Sequence, residues 1–560
     1  MGEIQIQGPP GTGKTTRLAT KEIPDAARKF GSHKIVVTSF TKTGAKEIAN
    51  KPSVETGLTI PVDSQNVGTL HSLCFRAIGN PVLAEANKKV WNAEFPQYPM
   101  EAAAKGNMDE GGTDESSGSV GERLLGEVGI LRAKMIPEDM WPGVTIKAFY
   151  KAWCKFKSAH GFMDFTDLIE VCLRDMPYAP GHPDVIFVDE AQDFTKLQLS
   201  LVRSWGQEAQ WLVLVGDDDQ CIYRFTGASP EAFIRADLDQ KFKRVLGQSY
   251  RVPQAVLERA MKLIKKVSVR EPKEYAPRLD ESGVPVLGLV RRHKESYKSV
   301  KQVIREAKEK AANGKTVMFL ASCSYMVEPL KAELRSAGIP FHNPYRKRRG
   351  DWNPLQSGGG EKNSARDLLA GFFGSGEDGP YWDIRQFLSW AKYLKVGPEG
   401  LIRKNGKAGI KALEDVVIKN GEGLHTARGV LSQILTDSAV EHAMGRDVKW
   451  LFDQVQATRQ EGLKYPLQVL GSFGLDAVLG PPKIVIGTIH SVKGGEADSV
   501  YLFPDISFQA NQEILGKGGK EARDSLYRLF YVGMTRAKEE LIIMAPSNAG
   551  RGKASLCVEL

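Results

Sequence analysis

A glycine-rich stretch near the start of the chain has the residues and the spacing of a phosphate-binding loop. It consists of Gly8, Pro9, Pro10, Gly11, Thr12, Gly13, Lys14, Thr15 and Thr16. This matches G-x-x-x-x-G-K-[ST] without a mismatch. In such a loop backbone N–H groups surround a β-phosphate, the lysine reaches the β- and γ-phosphates, and the first hydroxyl residue can ligate Mg²⁺. The sequence therefore predicts a nucleoside triphosphate site in which Lys14 and Thr15 have these two roles.

Two adjacent acids, Asp189 and Glu190, could supply the rest of that chemistry. They follow the apolar run at 185–188, which is typical of a buried strand with ligands at its carboxyl end. Asp189 would hold Mg²⁺ through water, and Glu190 would orient and deprotonate the attacking water. An Asp-Glu pair after a strand is common on protein surfaces, so this hypothesis depends on its pairing with the loop. Together the two motifs predict triphosphate hydrolysis.

The segments around these motifs predict an α/β fold. Ile4 and Ile6 alternate with polar residues before the loop, as in a short strand, and residues 16–30 have the pattern of a helix. Further strands are predicted at 34–38, 65–69, 185–188, 211–215, 284–290, 316–321, 483–487, 499–503 and 540–544. Short apolar runs alternating with helices favour parallel sheets. Mainly helical patterns fill 79–160 and 345–480, which we interpret as insertions.

Length and composition indicate an ordinary globular protein of several domains. A chain of 560 residues is too long for one core and suggests about three or four domains. Its 42% hydrophobic and 26% charged residues are typical of soluble proteins. The sequence has no apolar run of about 18 residues, and its first residues form a phosphate loop rather than a signal peptide. We expect a cytoplasmic protein, in a bacterium or in the host of a virus.

The charge and the cysteines add weaker indications. A formal net charge of +9, from 76 basic and 67 acidic residues, slightly favours a polyanionic partner such as nucleic acid. The six cysteines form no C-x-x-C pair and no cluster with histidine. They are predicted to be single thiols rather than zinc ligands or disulfides.

Ala191, Gln192 and Asp193 follow Glu190, and with them the chain resembles the UvrD/PcrA/Rep family of superfamily 1A helicases. Further motifs that resemble this family follow in the family's order at 38–45, 68–72, 164–168, 215–223, 248–251, 487–496 and 531–538. The resemblance implies two RecA-like parallel-sheet domains that bind ATP and Mg²⁺ between them, each with a mainly helical insertion. The implied domains are 1–78 with 161–245 and 246–344 with 481–560, and the implied insertions are 79–160 and 345–480.

The same resemblance implies roles for residues that would otherwise be unremarkable. Arg251 and Arg536, by themselves ordinary surface arginines, would reach the γ-phosphate from the second domain as arginine fingers. Gln220 would sense the γ-phosphate and the DNA. Tyr250, otherwise a core aromatic residue, would stack on the adenine, and Glu496 would contact the ribose. Because the fingers and the loop belong to different domains, hydrolysis would be coupled to domain closure.

For the nucleic-acid track, the resemblance implies aromatic side chains between bases and polar side chains on phosphates. The implied contacts are Phe40, Lys42, Thr69, His71, Tyr223, Phe225 and His490. An isolated phenylalanine in an α/β protein is usually part of the core, so the assignment of Phe40 depends on its motif. Lys42 and the threonine hydroxyls would hold phosphates.

The sequence departs from the family at several points. It has no glutamine motif ahead of the loop, so its preference for ATP is an expectation only. Residues 225–228 read Phe-Thr-Gly-Ala where the family usually has Trp-Arg-Gly-Ala, and Gly495 stands where leucine is common. A duplex-contacting loop is matched only weakly, by residues 406–411. The basic run 345–349 with Trp352 could also grip duplex phosphates, although such runs are more often solvated surface.

From these features we expect a monomeric ATP-dependent DNA helicase that moves 3′ to 5′ on single-stranded DNA and unwinds duplex in replication, repair or recombination. Its partners would be single strands and junctions of single and double strands. The first alternative is a translocase that strips proteins from single strands without unwinding. The second is a DNA-binding scaffold with a vestigial ATPase, which the complete set of hydrolysis motifs disfavours. RNA is a further alternative substrate, because side chains that stack on bases contact few features of the sugar.

Overall fold

The computed structural model describes most of the chain. It covers residues 2–41, 44, 45, 48, 62, 64–101, 119–346, 352–356, 364–374, 382–420, 428–516, 518–547 and 556–560. For residues 416–420 and 428 it describes the backbone alone. Among these residues, no helix is both long and apolar enough to cross a bilayer.

The first sheet carries the phosphate loop at the end of one of its inner strands. Its strands are β1 (Gly2–Gln7), β2 (Ile35–Ser39), β3 (Val67–Gly68), β4 (Val185–Asp189), β5 (Trp211–Gly216) and β6 (Lys243–Val245). They lie in the order β3-β2-β4-β5-β1-β6, and every neighbouring pair is parallel. The carboxyl ends of all six strands therefore meet at one edge, where a nucleotide site is expected.

The second sheet also has six strands. They are β7 (Leu289–Arg292), β8 (Val317–Ala321), β9 (Phe341–His342), β10 (Ile484–Thr488), β11 (Ala497–Leu502) and β12 (Ala537–Ile543). Their order is β7-β12-β11-β8-β10-β9, and β12 is parallel to both β7 and β11. The predicted α/β class with two parallel sheets is confirmed.

The predicted strand at 284–290 is wrong in its position. Strand β7 begins only at Leu289. The carbonyl groups of Val286 and Leu287 instead accept the backbone N–H groups of Gln254 and Ala255, at 2.9 Å each. These two N–H groups belong to the first two residues of the helix Gln254–Ile264, where backbone N–H groups have no partner inside the helix. The segment before Leu289 is therefore used to cap a helix rather than to extend the sheet.

Helices connect the strands and fill the two insertions. They are α1 (Lys14–Arg17), α2 (Ile23–Phe30), α3 (Leu70–Ala77), α4 (Lys88–Glu94), α5 (Val120–Ala133), α6 (Val144–His160), α7 (Phe165–Asp175), α8 (Lys196–Glu208), α9 (Pro230–Phe233), α10 (Gln254–Ile264), α11 (Lys301–Ala312), α12 (Glu328–Ser336), α13 (Ala365–Phe373), α14 (Ile384–Ala391), α15 (Arg403–Asn420), α16 (Arg428–Ile434), α17 (Asp437–Met444), α18 (Val448–Gln454), α19 (Ala457–Phe473), α20 (Leu475–Leu479), α21 (Phe508–Leu515) and α22 (Gly519–Met534). A π-helical segment, Leu18–Glu22, joins α1 to α2.

The chain forms two compact units. The first consists of Met1–Lys294, Leu320–Ser324 and Thr488–Leu560, and the second of Glu295–Phe319 and Tyr325–Gly487. Every residue predicted for the nucleotide site and the track belongs to the first unit. The second unit contains the helices α13 to α20, whose core is built around buried tryptophans such as Trp382 and Trp390. The four-part division predicted from the sequence stays a prediction.

The first sheet is covered on both faces. Ile186 and Leu212 pack into one hydrophobic layer, and Phe187 and Val213 pack into another. Successive residues of a strand point to opposite faces, so the continuous apolar runs of β4 and β5 follow from burial on both sides. This burial fixes the positions of Asp189, at the end of β4, and Asp217, after β5, at the edge of the sheet.

Strand β1 differs from the prediction in the environment of its polar residues. Alternation of apolar and polar residues favours a strand with one solvent-exposed face, but Glu3 and Gln5 are buried. The Glu3 carboxylate lies 3.3 Å from Arg203 and 3.2 Å from Arg235, and Gln5 Nε2 donates to the Phe233 carbonyl at 3.0 Å. The strand is correct, and partners inside the protein compensate Glu3 and the amide nitrogen of Gln5.

The acidic motif at 164–168 anchors the first insertion. Asp164 begins α7, and its side chain accepts the N–H of Asp167 at 2.7 Å. The same carboxylate binds Arg132 Nη1 of α5 at 2.8 Å and Lys157 Nζ of α6 at 2.6 Å. Burial opposes its ionisation, but the two cations hold the pKa of Asp164 at about 2. One buried carboxylate thus ties three helices together.

Candidate functional site

The phosphate loop connects β1 to α1 with a backbone that requires glycine. Gly11 and Gly13 have φ of 74° and 75°, in the left-handed region that other residues rarely adopt. At Gly8 an added Cβ would lie 1.9 Å from Lys14 Cγ. The sequence pattern is therefore explained by local geometry, and Lys14 stands at the first position of α1.

Lys14 and Thr15 both contact other residues of the candidate site. Lys14 Nζ donates to the Gly8 carbonyl at 2.7 Å, and Thr15 Oγ1 donates to Asp189 Oδ2 at 3.0 Å. The loop is further closed by Thr12, whose hydroxyl donates to the Pro9 carbonyl at 2.8 Å. The lysine ammonium thus folds over the loop, at the position where a β-phosphate would bind.

Thr15 and Asp189 also fit a Mg²⁺ ion. The second carboxylate oxygen, Asp189 Oδ1, is buried and has no hydrogen-bond partner, a costly state unless another ligand satisfies it. Hydroxyl and carboxylate oxygens are the ligands that Mg²⁺ prefers, together with phosphate and water. In the described part of the chain, no group of three or more His, Cys, Asp or Glu residues could hold a metal by itself.

The pKa values of the two adjacent acids, Asp189 and Glu190, are shifted in opposite directions. Burial and the neighbouring Glu190 charge raise the pKa of Asp189 to about 7. Burial also opposes ionisation of Glu190, but the charges of Lys14 and Lys493 lower its pKa to about 2. Glu190 has φ of 52°, an uncommon backbone conformation for a residue other than glycine. Gln192 Nε2 donates to the Glu190 carboxylate, which restricts its orientation.

Lys493 is a site residue to which the sequence analysis assigned no role. Its Nζ binds the Asp193 carboxylate, lies 3.9 Å from Glu190 Oε2 and donates to the Gln220 carbonyl at 3.2 Å. It also lies 4.9 Å from the centre of the Tyr223 ring. The only signal in the sequence was its place within the motif at 487–496. Burial opposes its charge, but the two carboxylates raise the pKa of Lys493 above its usual value.

Gln220 and Arg536 meet near the phosphate loop. Gln220 Nε2 donates to Asp217 Oδ2 at 2.7 Å and lies 3.5 Å from the Gly8 carbonyl. Arg536 Nη2 lies 3.4 Å from Gln220 Oε1. The guanidinium is 2% exposed and is held by the carbonyl groups of Val532 at 3.0 Å and Gly495 at 3.2 Å. The structure thus brings this predicted finger to the predicted sensor.

Arg251 and Glu496 bind each other. The Arg251 Nε atom lies 2.7 Å from Glu496 Oε2, and this arginine lowers the pKa of Glu496 although burial opposes the shift. The sequence had suggested a γ-phosphate contact for one and a ribose contact for the other. In the structure the two charges compensate each other.

Tyr250 is available for stacking. Its side chain is 71% exposed, while its backbone N–H donates to the Gly11 carbonyl at 2.8 Å. The neighbouring Ser249 hydroxyl donates to the Pro10 carbonyl at 2.9 Å. The motif at 248–251 is therefore joined to two carbonyl groups of the loop, while the Tyr250 ring is exposed and could contact a base. Thr16, the last residue of the loop, is also exposed.

Four of the predicted track residues form one aromatic cluster. Phe40 stacks on Tyr223 with ring centres 5.0 Å apart, Tyr223 contacts Phe225 at 5.8 Å, and Phe225 contacts His490 at 5.4 Å. Tyr223 is buried. Burial lowers the pKa of His490 to about 4, so the imidazole is neutral. Phe40, Phe225 and His490 are partly exposed.

The other predicted track residues lie elsewhere. Thr69 precedes α3, and its hydroxyl accepts the N–H of Ser72 at 3.3 Å. His71 lies in the first turn of α3 and contacts the Phe165 ring at 5.9 Å. Burial lowers the pKa of His71 to about 4. Lys42 lies outside the described residues.

Comparisons with known proteins agree with this geometry. Residues 2–226 match the AAA domain family, and residues 469–548 match the UvrD-like helicase C-terminal domain family. The chain is a UvrD/PcrA-like superfamily 1 helicase. The resemblance predicted from the motifs is thereby confirmed.

Three relatives show how far the similarity extends. YjcD of Bacillus subtilis (strain 168) is 24% identical over 611 residues, covering 99% of this chain and 78% of YjcD. Its name describes it as an ATP-dependent DNA helicase by inference. The ATP-dependent DNA helicase PcrA of the same organism is 26% identical over 298 residues, covering 50% of this chain. PcrA of Staphylococcus epidermidis (strain RP62A) is 26% identical over 294 residues. The matched region is 40% and 39% of these two PcrA proteins.

The departures of this UvrD-like helicase from the family's motifs have local explanations. Thr226, in the place of the family's arginine, donates its hydroxyl to the Tyr223 carbonyl at 2.7 Å and stabilises the turn that presents Phe225. Gly227 has φ of 94° and would bring an added Cβ 3.0 Å from Ala133. Gly495 supplies the carbonyl that binds Arg536. The turn and the finger are therefore both held without the family's usual residues.

In the second unit, the predicted duplex contacts are partly used for packing. An added Cβ at Gly406 would lie 2.7 Å from the Ile434 carbonyl, and one at Gly409 would lie 3.0 Å from the Ile434 side chain. The two glycines thus permit α15 to approach α16. Trp352 is buried beneath the Arg346 guanidinium, 4.5 Å from the centre of its ring. Residues 347–349 of the basic run lie outside the described residues.

Proposed function

We propose that this chain is an ATP-dependent DNA helicase that translocates 3′ to 5′ on single-stranded DNA. The observation that carries the proposal is the contact of Gln220 with Arg536 beside the phosphate loop. Gln220 follows β5 of the first sheet and Arg536 precedes β12 of the second. A triphosphate on Lys14 would therefore be contacted from both sheets, and its hydrolysis would change how the two sheets are held together.

Each hydrolysis residue has a task that its surroundings support. Lys14 neutralises the β- and γ-phosphates, Glu190 orients and deprotonates water, and Arg536 stabilises the charge that develops on the transferred group. Thr15 and Asp189 would hold Mg²⁺, which supplies further charge neutralisation on the phosphates. Arg251 exchanges Glu496 for phosphate when nucleotide binds, which leaves Glu496 for the ribose.

Lys493 supports a direct connection between the nucleotide site and the track. Its ammonium binds Asp193 beside Glu190 and also lies over the Tyr223 ring of the aromatic cluster. A shift of the cluster when DNA binds would change the field at Glu190 through this single side chain. Such a path explains hydrolysis that is stimulated by single-stranded DNA.

The translocase without unwinding remains the second candidate. Gly406 and Gly409, the glycines of the candidate duplex-contacting loop, are accounted for by packing against Ile434. Lys404, Lys407 and Lys411 on the exposed side of α15 offer charge for a duplex without a dedicated loop. Strand separation is therefore the part of the proposal that most needs an experiment.

The proposal is tested by strand displacement on duplexes with a 3′ tail, a 5′ tail or no tail, with Lys14→Ala as the inactive control. We expect ATP-dependent unwinding from the 3′ tail only, because the polarity follows the family. Unwinding from the 5′ tail would contradict the polarity. Strong hydrolysis stimulated by single strands, without unwinding, would favour the translocase. Equal unwinding from an RNA tail would show that the protein also acts on RNA.

We also expect the affinity for single-stranded DNA to fall steeply with salt. Lysines and backbone groups that bind phosphates release counterions, and the slope of log K against log salt is about −0.7 per contacted phosphate for single strands. Fluorescence anisotropy of a labelled oligonucleotide between about 50 and 200 mM salt measures this slope. A flat response would exclude a track that grips phosphates.

A further inference from the structure

Three consecutive aspartates lie buried immediately before Gln220. Asp217, Asp218 and Asp219 are at most 1% exposed. Burial, together with the two neighbouring carboxylates, raises the pKa of Asp218 to about 6 in spite of a nearby lysine. Burial of three carboxylates costs free energy unless cations and hydrogen bonds compensate their charges. The groups that compensate them therefore determine the geometry of this turn.

A short segment after α10 supplies these groups. Lys273 Nζ lies 3.1 Å from Asp217 Oδ1 and 3.2 Å from Asp219 Oδ2, and it also binds the Asp218 carboxylate. Arg270 donates to both oxygens of Asp219, from Nε at 2.9 Å and from Nη2 at 2.6 Å. The backbone N–H of Glu271 donates to Asp218 at 3.0 Å. Among the residues that the structure describes, Lys273 is the one cation that contacts all three aspartates.

Through Asp217 the segment reaches the sensor. Asp217 Oδ1 binds Lys273 and accepts the N–H of Asp219 at 3.2 Å, while Oδ2 accepts Gln220 Nε2 at 2.7 Å. An amide has one donating and one accepting end. With its Nε2 held by Asp217, the Gln220 side chain must present Oε1 to Arg536. Lys273 thus fixes the carboxylate that sets the orientation of the sensor.

The same segment is bound to the helix that carries the finger. Arg528 of α22 donates to the Asp218 carbonyl at 2.9 Å and also to the Val269 carbonyl. The Asp524 carboxylate of α22 accepts the N–H of Ser268 at 3.0 Å. Arg536 follows the end of α22. Residues 268–273 therefore join the turn before Gln220 to the helix that ends at the finger.

We propose that Lys273 is a positioning residue for hydrolysis, which acts through Asp217 to orient Gln220 toward Arg536 and the γ-phosphate. This inference rests on the proposed function. Its loss would leave three buried carboxylates with one fewer cation, and Asp217 would be free to turn away from Gln220.

The test compares steady-state hydrolysis in Lys273→Met with Lys243→Met as the matched control. Lys243 is also a buried lysine, and its Nζ binds Glu271 at 2.7 Å beside the aspartates. A misplacement of about 1 Å can cost about 10²-fold in rate. We expect Lys273→Met to lower the DNA-stimulated kcat by about 10- to 100-fold with little change in the KM for ATP, and Lys243→Met to keep the wild-type kcat.

A charge-balanced double variant separates positioning from stability. Asp218→Asn combined with Lys273→Met removes one charge of each sign, so the Tm should return toward that of the wild type, while Asp217 still lacks its lysine and kcat stays low. Recovery of kcat together with Tm would overturn the proposal, as would a normal kcat in Lys273→Met. If Lys273→Met does not fold, the double variant alone decides. Absence of DNA-stimulated hydrolysis in the wild type would instead contradict the proposed function.

Discussion

Glu190→Gln will bind ATP and fail to hydrolyse it. The substitution keeps the size of the side chain and removes the carboxylate that accepts a proton from water. General-base catalysis contributes about 10² to 10⁴ in rate, so kcat should fall by that factor. Because Lys14 and Thr15 are unchanged, the affinity for ATP should stay close to that of the wild type. Phosphate release with single-stranded DNA and a nucleotide-binding titration measure the two quantities.

The control for this variant is Glu258→Gln on α10, which changes an exposed glutamate away from the site. It should leave kcat at the wild-type value. Normal turnover in purified Glu190→Gln would exclude Glu190 as the base. Loss of ATP binding would show instead that this carboxylate organises the loop, through the charges of Lys14 and Lys493 that lie near it.

Arg536→Lys will also lose most of its hydrolysis. The lysine keeps a positive charge but lacks the planar guanidinium, which contacts Gln220 together with the carbonyl groups of Val532 and Gly495. Arg and Lys are not interchangeable at such a site. An arginine finger contributes about 10³ to 10⁵ in rate, so kcat should fall within or just below that range, with a much smaller change in the KM for ATP.

Because Arg536 is buried, its variant needs a control for stability. The control Arg278→Lys alters a guanidinium that donates to the Lys538 carbonyl at 2.9 Å. Lys538 is close to Arg536 in the chain, but the described hydrogen bond of Arg278 is not to Gln220. This control should keep the wild-type kcat. Thermal unfolding of both variants shows how much of the loss is due to folding. A folded Arg536→Lys with near-normal kcat would mean that Arg251 alone serves as the finger.

Two cations of the candidate site are bound by groups of the protein itself. Lys14 binds the Gly8 carbonyl, and Arg251 binds Glu496. In the proposed function a triphosphate would replace these partners, so binding and rearrangement of the site would become one process.

The sequence alone predicted the family, the α/β class and the residues of the phosphate loop. The family and the fold class are confirmed, and the signals that predicted them are local: the glycines of the loop stand within nine residues, and the strand before Asp189 is marked by its own apolar run. Tyr250, Gln220 and Arg536 were found only through the resemblance, since none of them carries a local signal. The domain boundaries and the roles of these residues stay predictions.

Tertiary structure decided the partners of the charged groups. Lys493 and Asp193 are 300 residues apart in the chain, and Lys273 is 55 residues from Asp218. No pattern of neighbouring residues marks such pairs, because a buried charge is compensated by whatever the fold brings beside it. The same reason explains the buried polar face of β1, the displaced start of β7 and the pairing of Arg251 with Glu496. Sequence specified which groups can do chemistry here, and the fold selected which of them face one another.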